Sequence, residues 1–385
     1  MLNMALVAFK TSRFLPSSLQ TKEDTVVFKY GELFSGPGGL ALGASKATVQ
    51  ENGVKYQIAH AWAADYDSDS CETCRKNIAP EHPESVICQD VKDIDIETLG
   101  PIDAFAYGFP CNDFSVVGEQ KGFNGNFGPL YTYGLKVINR YKPRFFVAEN
   151  VSGLASANDG NAFETILRDL AESGNGYEIT AHRYRAEEYG VPQTRHRIII
   201  VGIDKSFNLQ FKVPAPTHRG RYVSAREALE KPRIQFDAPN HELKRQSPVV
   251  VERLKMILPG ENVWTADLPD HLKLNVKSAR MSQIYRRLHP DKPSYTITAS
   301  GGGGTHGYHY AEPRALTNRE RARIQTFPDD FIFSGSIESV RKQIGMAVPP
   351  LLSEIIFTSI LKIFANIEYP AVEANLFTSA NPTLL

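Results

Sequence analysis

The chain has 385 residues, of which 42% are hydrophobic and 22% charged, and its formal net charge at pH 7 is zero. These values describe an ordinary soluble globular protein, long enough for a sizeable core and about two domains. The balanced charge gives no overall basic character that would indicate a nucleic-acid partner, although it is compatible with a local basic face.

The cysteines and the apolar segments predict a compartment. The chain has four cysteines and no visible secretion signal, so we expect free thiols in a reducing cytoplasm. No apolar run approaches the roughly 20 residues that span a bilayer, so no membrane association is predicted. Cys71 and Cys74 form a CxxC pair, but no second pair follows at zinc-site spacing, and we predict no metal.

From about residue 25, short apolar runs alternate with amphipathic stretches. The predicted strands are TVVFKYGELF, YQIAHAWAAD, ESVICQD, IDAFAYGF, RFFVAEN, YEITAHRY and RIIIVGID. The predicted helices are LALGASKATVQEN, SDSCETCRKNI, LYTYGLKVINRY and NAFETILRDLAES. This alternation predicts an α/β fold with a parallel sheet and helices on both faces.

The regular pattern ends near Ile203, where Pro-, His- and Arg-rich sequence begins. Helical pattern resumes at LTNRERARIQTF, and LLSEIIFTSILKIF is apolar enough to be a packed helix. We therefore predict a smaller irregular domain and then a return to the first domain. The predicted boundaries are 1–27 for an N-terminal extension, 28–204 for the main domain, 205–312 for the irregular domain, 313–341 for a hinge and supporting segment, 342–365 for the returning part and 366–385 for a loose tail.

Ligands of open α/β sheets bind at the carboxyl ends of the strands, so those ends carry the candidate site. The first strand runs into the glycine-rich segment 34–39, whose spacing is not GxGxxG and disfavours a dinucleotide fingerprint. Asp65 and Asp90 follow the next two strands, where one carboxylate suits ribose hydroxyls and the other an adenine amino group. Together these features favour an adenosine-containing ligand.

The following strands deliver groups suited to covalent chemistry. Gly108-Phe-Pro-Cys111 ends the fourth strand and Glu149-Asn-Val151 ends the fifth, which brings a thiol and a carboxylate to one pocket. Arg195 and Arg197 lie two residues apart at the start of a later strand. They are predicted to neutralise a phosphate or to orient that carboxylate.

Six segments, in order, resemble the motifs of the cytosine-5 DNA methyltransferases. They cover Phe34–Gly39, Gly108–Ser115, Glu149–Val151, Gln193–Arg197, Arg319–Pro328 and Gln343–Pro349. The match extends from about residue 28 to 365 and implies a Rossmann-like, S-adenosylmethionine-dependent methyltransferase sheet. The irregular domain would then be a target recognition domain.

The resemblance also implies a mechanism and a cofactor site. Cys111 would attack C6 of a flipped-out cytosine, Glu149 would hold N3 and the exocyclic amine, and Arg195 and Arg197 would position Glu149 or the target phosphate. The residues implied for S-adenosyl-L-methionine are Phe34, Gly36, Pro37, Gly39, Asp65, Tyr66, Asp90, Val91, Pro110, Leu130, Met346 and Val348. Segment 116–129 is predicted to be a lid over the DNA.

The implied DNA contacts are Asn112, Ser115, Arg280, Arg287 and Thr296. Two of the matched positions depart from the usual family pattern. Asn112 stands where most members have Gln, although the animal de novo enzymes also have Asn. Met346 stands where most have Asn, and a thioether cannot replace the hydrogen bonds of an amide.

The sequence thus predicts a DNA (cytosine-5)-methyltransferase of bacterial restriction–modification or orphan type. Its expected partner is double-stranded DNA, with a possible cognate restriction endonuclease that acts on the same site, and the chain is expected to be a monomer. The alternatives are a tRNA cytosine-5 methyltransferase and a catalytically impaired DNA-binding relative. A nicotinamide oxidoreductase is the remaining alternative, but the glycine spacing disfavours it.

Overall fold

The fold is described from a computed structural model, which covers residues 24–109, 130–275, 281–301 and 304–379. A nine-stranded sheet forms its centre, in the order β13-β7-β9-β6-β5-β1-β3-β2, with β4 added beside β3. The strands are β1 (Asp24–Leu33), β2 (Thr48–Glu51), β3 (Val54–Asp65), β4 (Val86–Cys88), β5 (Ala104–Gly108), β6 (Phe145–Val151), β7 (Tyr177–Arg185), β8 (Gln193–Thr194), β9 (His196–Asp204), β10 (Val213–Pro214), β11 (Ser294–Tyr295), β12 (Ala371–Val372) and β13 (Phe377–Thr378).

The α/β fold class is confirmed, but the sheet is mixed rather than parallel throughout. Strands β1, β3, β4, β5 and β6 pair in parallel. Strand β9 runs antiparallel to both β6 and β7, and β2 runs antiparallel to β3. Strand β2 lies where the sequence predicts the end of a helix, because Thr48 and Val49 favour an extended backbone and pair along the exposed edge of β3.

Helices cover both faces of the sheet. They are α1 (Gly39–Lys46), α2 (Ser68–Asn77), α3 (Tyr131–Tyr141), α4 (Asn161–Glu172), α5 (Ala225–Glu230), α6 (Pro248–Met256), α7 (Asn318–Ile324), α8 (Ile337–Met346) and α9 (Pro350–Phe364). Helices α1 and α9 contribute to the apolar cluster on one face, and α3 and α4 to the cluster on the other. Both clusters are continuous with side chains of the central strands, so the sheet lies between two buried layers.

The chain after β9 forms a second, smaller core. Leu254, Ile257, Val263 and Leu272 are buried there with Tyr308, and the cluster draws on residues 254–315. The boundary predicted between 341 and 342 falls within α8, which packs in a separate cluster with α7. One helix therefore belongs both to the supporting segment and to the returning part of the chain.

The described part of the predicted loose tail is ordered against the sheet, which corrects that expectation. Strand β12 pairs with β10, and β13 pairs with β7 at the edge of the main sheet. The side chain of Asn375 accepts from the backbone N–H of Arg183 at 2.7 Å. Backbone pairing of this kind needs no hydrophobic periodicity, so the sequence pattern gives no signal for it.

The segment Ile337–Phe364 passes a length and composition test for a membrane-crossing helix. However, 72% of its most apolar 18-residue stretch is buried inside the fold. The helix also breaks between Met346 and Pro350, where α8 ends and α9 begins. Both halves pack as helices of the core.

Candidate active site

A cavity of about 380 Å³ opens at the carboxyl ends of β1, β3, β5 and β6. It lies within the size range of small-molecule sites and at the edge of the sheet where α/β proteins bind ligands. Its lining comprises Glu32, Phe34, Ser35, Gly36, Pro37, Gly39, Leu40, Asp65, Tyr66, Asp67, Ser70, Gly108, Phe109, Glu149, Asn150, Val151, Arg197, Lys342, Gln343, Gly345, Met346, Ala347 and Val348.

The glycine-rich segment forms one wall of this cavity. Phe34 and Gly36 both have positive φ, of 56° and 52°, and Gly38 caps α1 with φ of 93°. A Cβ at Gly39 would lie 2.5 Å from the carbonyl oxygen of Val348. Glycine is therefore required at this position, because the loop and residues 345–348 meet backbone to backbone. Residues 345–348 include the predicted cofactor residues Met346 and Val348 and are called here the cofactor wall.

Asp65 supports the glycine-rich loop from the end of β3. Its Oδ2 accepts from the backbone N–H of Gly36 at 2.8 Å, and its Oδ1 accepts from that of Asp67 at 2.9 Å. Burial raises the pKa of Asp65. Each carboxylate oxygen can accept more than one hydrogen bond, so Asp65 can shape the loop and still bind a ligand hydroxyl.

Glu32 is a cavity residue that the sequence analysis missed. It lies inside β1, is 1% exposed, and accepts from the Tyr30 hydroxyl at 2.8 Å. Burial raises its pKa to about 8, so the carboxyl is mostly protonated at neutral pH. The sequence did contain a signal for Glu32, which lies in an apolar strand just before Phe34. An uncompensated acid in a buried strand is costly, so its presence there indicates a function.

Glu149 forms the main ion pair of the cavity. Its Oε1 lies 2.7 Å from Nε of Arg197, and both side chains are nearly buried. A Cβ at Gly108 would lie 3.2 Å from Oε2 of Glu149, so the glycine leaves room for the carboxylate between β5 and β6. Burial raises the pKa of Glu149, and the two nearby arginines lower it. The shift is net upward, which suits a carboxyl that holds a proton.

Asn150 joins the ends of the two strands that carry this site. Its Nδ2 donates to the carbonyl of Phe109 at 3.0 Å, and its Oδ1 accepts from the N–H of Val151. Phe109 precedes Cys111 by two residues. The amide of Asn150 therefore ties the backbone directly after β5 to the end of β6.

Arg195 has a different place from the predicted one. It is 1% exposed, and its guanidinium donates to the carbonyls of Ile297, Gly345 and Ala347 at 3.0, 2.9 and 2.9 Å. Burial this complete prevents contact with a DNA phosphate, and the ion pair with Glu149 is made by Arg197. A spacing of two residues places side chains on one face only within a regular strand, but Arg195 precedes β9, which begins at His196.

The other predicted cofactor residues divide into two groups. Tyr66, Met346 and Val348 line the cavity with the glycine-rich loop, and Met346 is 59% exposed at its mouth. Asp90, Val91 and Leu130 lie outside the lining. Asp90 instead accepts from the N–H of Lys92 at 3.0 Å, and Val91 and Leu130 are buried in the core.

The structure also contradicts the predicted DNA contact of Arg287. It is 7% exposed and its guanidinium donates to the carbonyls of Leu254, Ile257 and His309 at 2.8 to 3.0 Å. It is thus a structural cation of the small core rather than a surface contact. Thr296 is half-buried and its Oγ1 donates to the carbonyl of Thr194 at 2.6 Å. Pro110, Cys111, Asn112, Ser115, Arg280 and the predicted lid lie outside the described residues.

No cluster of metal-ligating side chains occurs within the described ranges. Cys71 and Cys74 are fully buried, and burial raises the pKa of both thiols. They pack beside Ala63 and Val86 as small apolar groups.

The cavity suits a nucleoside-containing ligand. The aromatic rings of Phe34 and Tyr66 offer stacking surfaces, while Asp65 and Glu32 offer carboxyl groups. The buried Oγ of Ser35 has no hydrogen-bond partner among the described residues, so this wall can offer a polar group to a ligand. These residues fit S-adenosylmethionine.

The sheet, its glycine-rich loop and this cavity define the class of S-adenosylmethionine-dependent methyltransferases. A solved structure from an Escherichia coli prophage, described as a candidate DNA modification methyltransferase, shares the fold with a TM-score of 0.66 at 22% identity, over 87% of this chain and 99% of that one. The Entamoeba histolytica methyltransferase EhMeth aligns with a TM-score of 0.56 at 16% identity, over 88% and 98% of the two chains.

Sequence comparison places the chain more narrowly. The model of the C-5 cytosine-specific DNA methylase family matches residues 28–362. The chain is 59% identical over 354 residues to the Type II methyltransferase M.BbvI of Brevibacillus brevis, covering 90% of this chain and 94% of that protein. It is 42% identical to M.NgoFVII of Neisseria gonorrhoeae, over 87% and 86% of the two chains. The chain belongs to the C-5 cytosine-specific DNA methylase family, whose methyl donor is S-adenosylmethionine.

Proposed function

We propose that this enzyme methylates C5 of a cytosine flipped out of a specific duplex DNA site, through a covalent bond between Cys111 and C6. Cytosine C6 is inaccessible in a stacked duplex, so the base has to leave the helix to reach a nucleophile. Cys111 follows the end of β5, and Glu149 stands at the end of the neighbouring β6. This adjacency supports an attack by the Cys111 thiolate on a base that is held by Glu149.

Glu149 carries the proton chemistry in this proposal. A protonated carboxyl donates to N3 of the base while its other oxygen accepts from the exocyclic amine. As Cys111 bonds to C6, electron density moves through the ring and the proton at N3 offsets the charge that develops. The raised pKa of Glu149 favours the protonated form, and Arg197 at 2.7 Å orients the carboxyl.

The remaining walls hold the methyl donor beside the base. S-adenosylmethionine, when bound, supplies an electrophilic methyl group to C5. Phe34, Tyr66 and Asp65 would bind its nucleoside part, and the glycine-rich loop leaves space for it. After methyl transfer, a general base removes the C5 proton and Cys111 leaves C6. These two steps restore the aromatic ring and the free thiol.

The Glu149–Arg197 pair in the wall of the cofactor-sized cavity is the observation that carries the proposal. To test it, the chain is expressed from a plasmid in a host that lacks cytosine methylation. The plasmid is then sequenced by a chemistry that distinguishes 5-methylcytosine. We expect methylation at one short recurring motif, and none with Cys111→Ser.

An absence of plasmid methylation, from folded protein that binds S-adenosylmethionine, would contradict the proposal. Transfer of tritiated methyl groups to tRNA would then identify the RNA alternative. Denaturing electrophoresis of the protein with 5-fluorocytosine DNA tests the covalent step separately. With S-adenosylmethionine added, methyl transfer leaves C5 with fluorine in place of the proton that must leave, so the adduct should be retained by the wild type and be absent from Cys111→Ser.

The proposed setting is the bacterial cytoplasm, with the protein acting as a monomer. The relatives named Type II methyltransferases support a cognate restriction endonuclease that reads the same DNA site. No contact between the two enzymes is implied, because each acts on DNA independently. A host that survives the endonuclease gene only when this chain is present would support the pairing.

A further inference from the structure

The guanidinium of Arg195 connects two parts of the molecule that face different ligands. Through Nη1 it binds the carbonyl of Ile297, and through Nη2 it binds those of Gly345 and Ala347. Ile297 belongs to residues 294–301, called here the junction segment, which includes the proposed DNA contact Thr296. Gly345 and Ala347 belong to the cofactor wall.

Two glutamines complete the same connection. Oε1 of Gln193 accepts from the N–H of Ile297 at 2.7 Å, and its Nε2 donates to Oε1 of Gln325 at 2.7 Å. Nε2 of Gln325 in turn donates to the carbonyl of Ile344 at 2.6 Å. All three side chains are fully or almost fully buried, so these polar bonds are shielded from water and costly to leave unmade.

The junction segment also packs directly on α8. A Cβ at Gly345 would lie 2.2 Å from the backbone nitrogen of Ala299. Strand β11 of the junction segment pairs with β8, which immediately precedes Arg195. Neither the junction segment nor the cofactor wall can therefore shift without breaking bonds to the same guanidinium.

Among the described residues, no carboxylate lies in hydrogen-bond contact with Arg195, whereas Arg197 pairs with Glu149. Desolvation lowers the pKa of Arg195, and Glu149 offsets this only in part. Carbonyl groups from both segments solvate the cation instead. Displacement of either segment would leave a buried charge less solvated, which opposes independent movement of the two.

We infer that Arg195 is a positioning residue that couples DNA binding at the junction segment to cofactor binding at the cofactor wall. This inference rests on the proposed function for the identity of the DNA-binding surface. DNA that holds the junction segment in place fixes Ile297, and through Arg195 it fixes Gly345 and Ala347 beside the cofactor. By reciprocity, the cofactor strengthens DNA binding by the same factor.

The coupling is measured by titrating S-adenosyl-L-homocysteine, the probe, into the full chain. One titration is made without DNA, and the other with a saturating, unmethylated duplex that carries the motif mapped on the plasmid. We expect the wild type to bind the probe about 5-fold or more tightly with DNA, within the usual range of coupling between sites. In Arg195→Lys, which keeps the charge but loses the forked donors, the ratio should fall to about one.

Arg319→Lys is the matched control. Arg319 is also fully buried and binds three carbonyls, those of Pro239, Pro328 and Phe331. None of these belongs to the junction segment or the cofactor wall, so its ratio should equal that of the wild type. If Arg195→Lys fails to fold, Gln193→Ala tests the same connection and should also lower the ratio.

Two results would overturn the inference. One is a wild type that methylates DNA but binds the probe equally well with and without it. The other is a folded Arg195→Lys or Gln193→Ala variant with an unchanged ratio. A wild type that does not methylate DNA would contradict the proposed function instead, so the two failures are distinguishable.

Discussion

Different interactions stabilise two regions of the molecule. One is the sheet region, residues 24–204, and the other is the junction region, residues 205–347, which contains the shorter junction segment. In the sheet region, two apolar clusters of buried strand and helix side chains enclose the sheet. In the junction region, helices are shorter and several buried arginines bind backbone carbonyls, among them Arg287, Arg319 and Arg321. Irregular backbone leaves many carbonyls without partners, and a guanidinium with five donors can satisfy several at once.

This difference explains why hydrophobic pattern describes one region and not the other. A regular strand satisfies its own backbone through the ladder, so only side-chain burial has to be encoded. A buried loop requires specific donors at specific places. The junction region is therefore expected to be more sensitive to loss of single polar side chains, and the sheet region to loss of volume.

Arg319→Met should give the largest loss of stability at a fixed pH. The change removes donors from the carbonyls of Pro239, Pro328 and Phe331. Unsatisfied buried carbonyls cost about 1–3 kcal/mol each, so we expect a loss of about 4 kcal/mol in the free energy of unfolding. Urea denaturation followed by circular dichroism measures it. Ile200→Val in β9 is the control, with an expected loss of about 1 kcal/mol; equal losses would remove the contrast between the regions.

Arg197→Met should act on catalysis more than on stability. Without the guanidinium, the Glu149 carboxyl loses its orienting partner, so kcat should fall about 10²–10³-fold, equivalent to about 3 kcal/mol. Single-turnover methylation on the mapped site measures the rate. Arg197→Lys should recover part of it through charge alone. A variant that loses affinity for DNA with unchanged kcat would instead assign Arg197 to phosphate binding.

Glu32→Gln should change the pH dependence of stability. The pKa of Glu32 is about 8 in the fold against an ordinary value of 4.5, so the native state binds the proton more tightly than the unfolded chain. Its stabilising contribution is complete below pH 4.5 and is lost as the pH rises to about 8. Between these values the wild type should lose about 1.4 kcal/mol per pH unit relative to Glu32→Gln. Parallel stability curves for the two proteins would refute a protonated Glu32.

Lys244→Ala should have the smallest effect, despite its place in the junction region. Its Nζ lies 2.9 Å from Oε1 of Glu338, but both side chains are substantially exposed. Exposed pairs contribute about 0.2–1 kcal/mol and are screened by salt. A change in the urea midpoint near the detection limit is expected. A loss of unfolding free energy comparable to that of Arg319→Met would show that an exposed cation can stabilise the fold as much as a buried one.

The sequence was informative wherever periodicity or motif order carried the information. The predicted strands of the sheet region and the glycine-rich loop are present, and Glu149 lines the cavity with that loop. The partners of Arg195 and Arg287 were not predictable, because their carbonyl acceptors come from helix ends and loops that are distant in the sequence. Likewise, spacing alone could not show that Arg197, rather than Arg195, faces Glu149.

The last described residues have a consequence for the behaviour of the protein in concentrated solution. Strand β13 covers the open edge of β7, where Ser379 and Asn375 also bind its backbone. Uncovered edges of sheets recruit strands from other molecules and begin aggregation. At the opposite side, β2 is only four residues long and ends in Gln50 and Glu51. A truncation that removes β13 would therefore lower the solubility of the protein more than its catalytic activity.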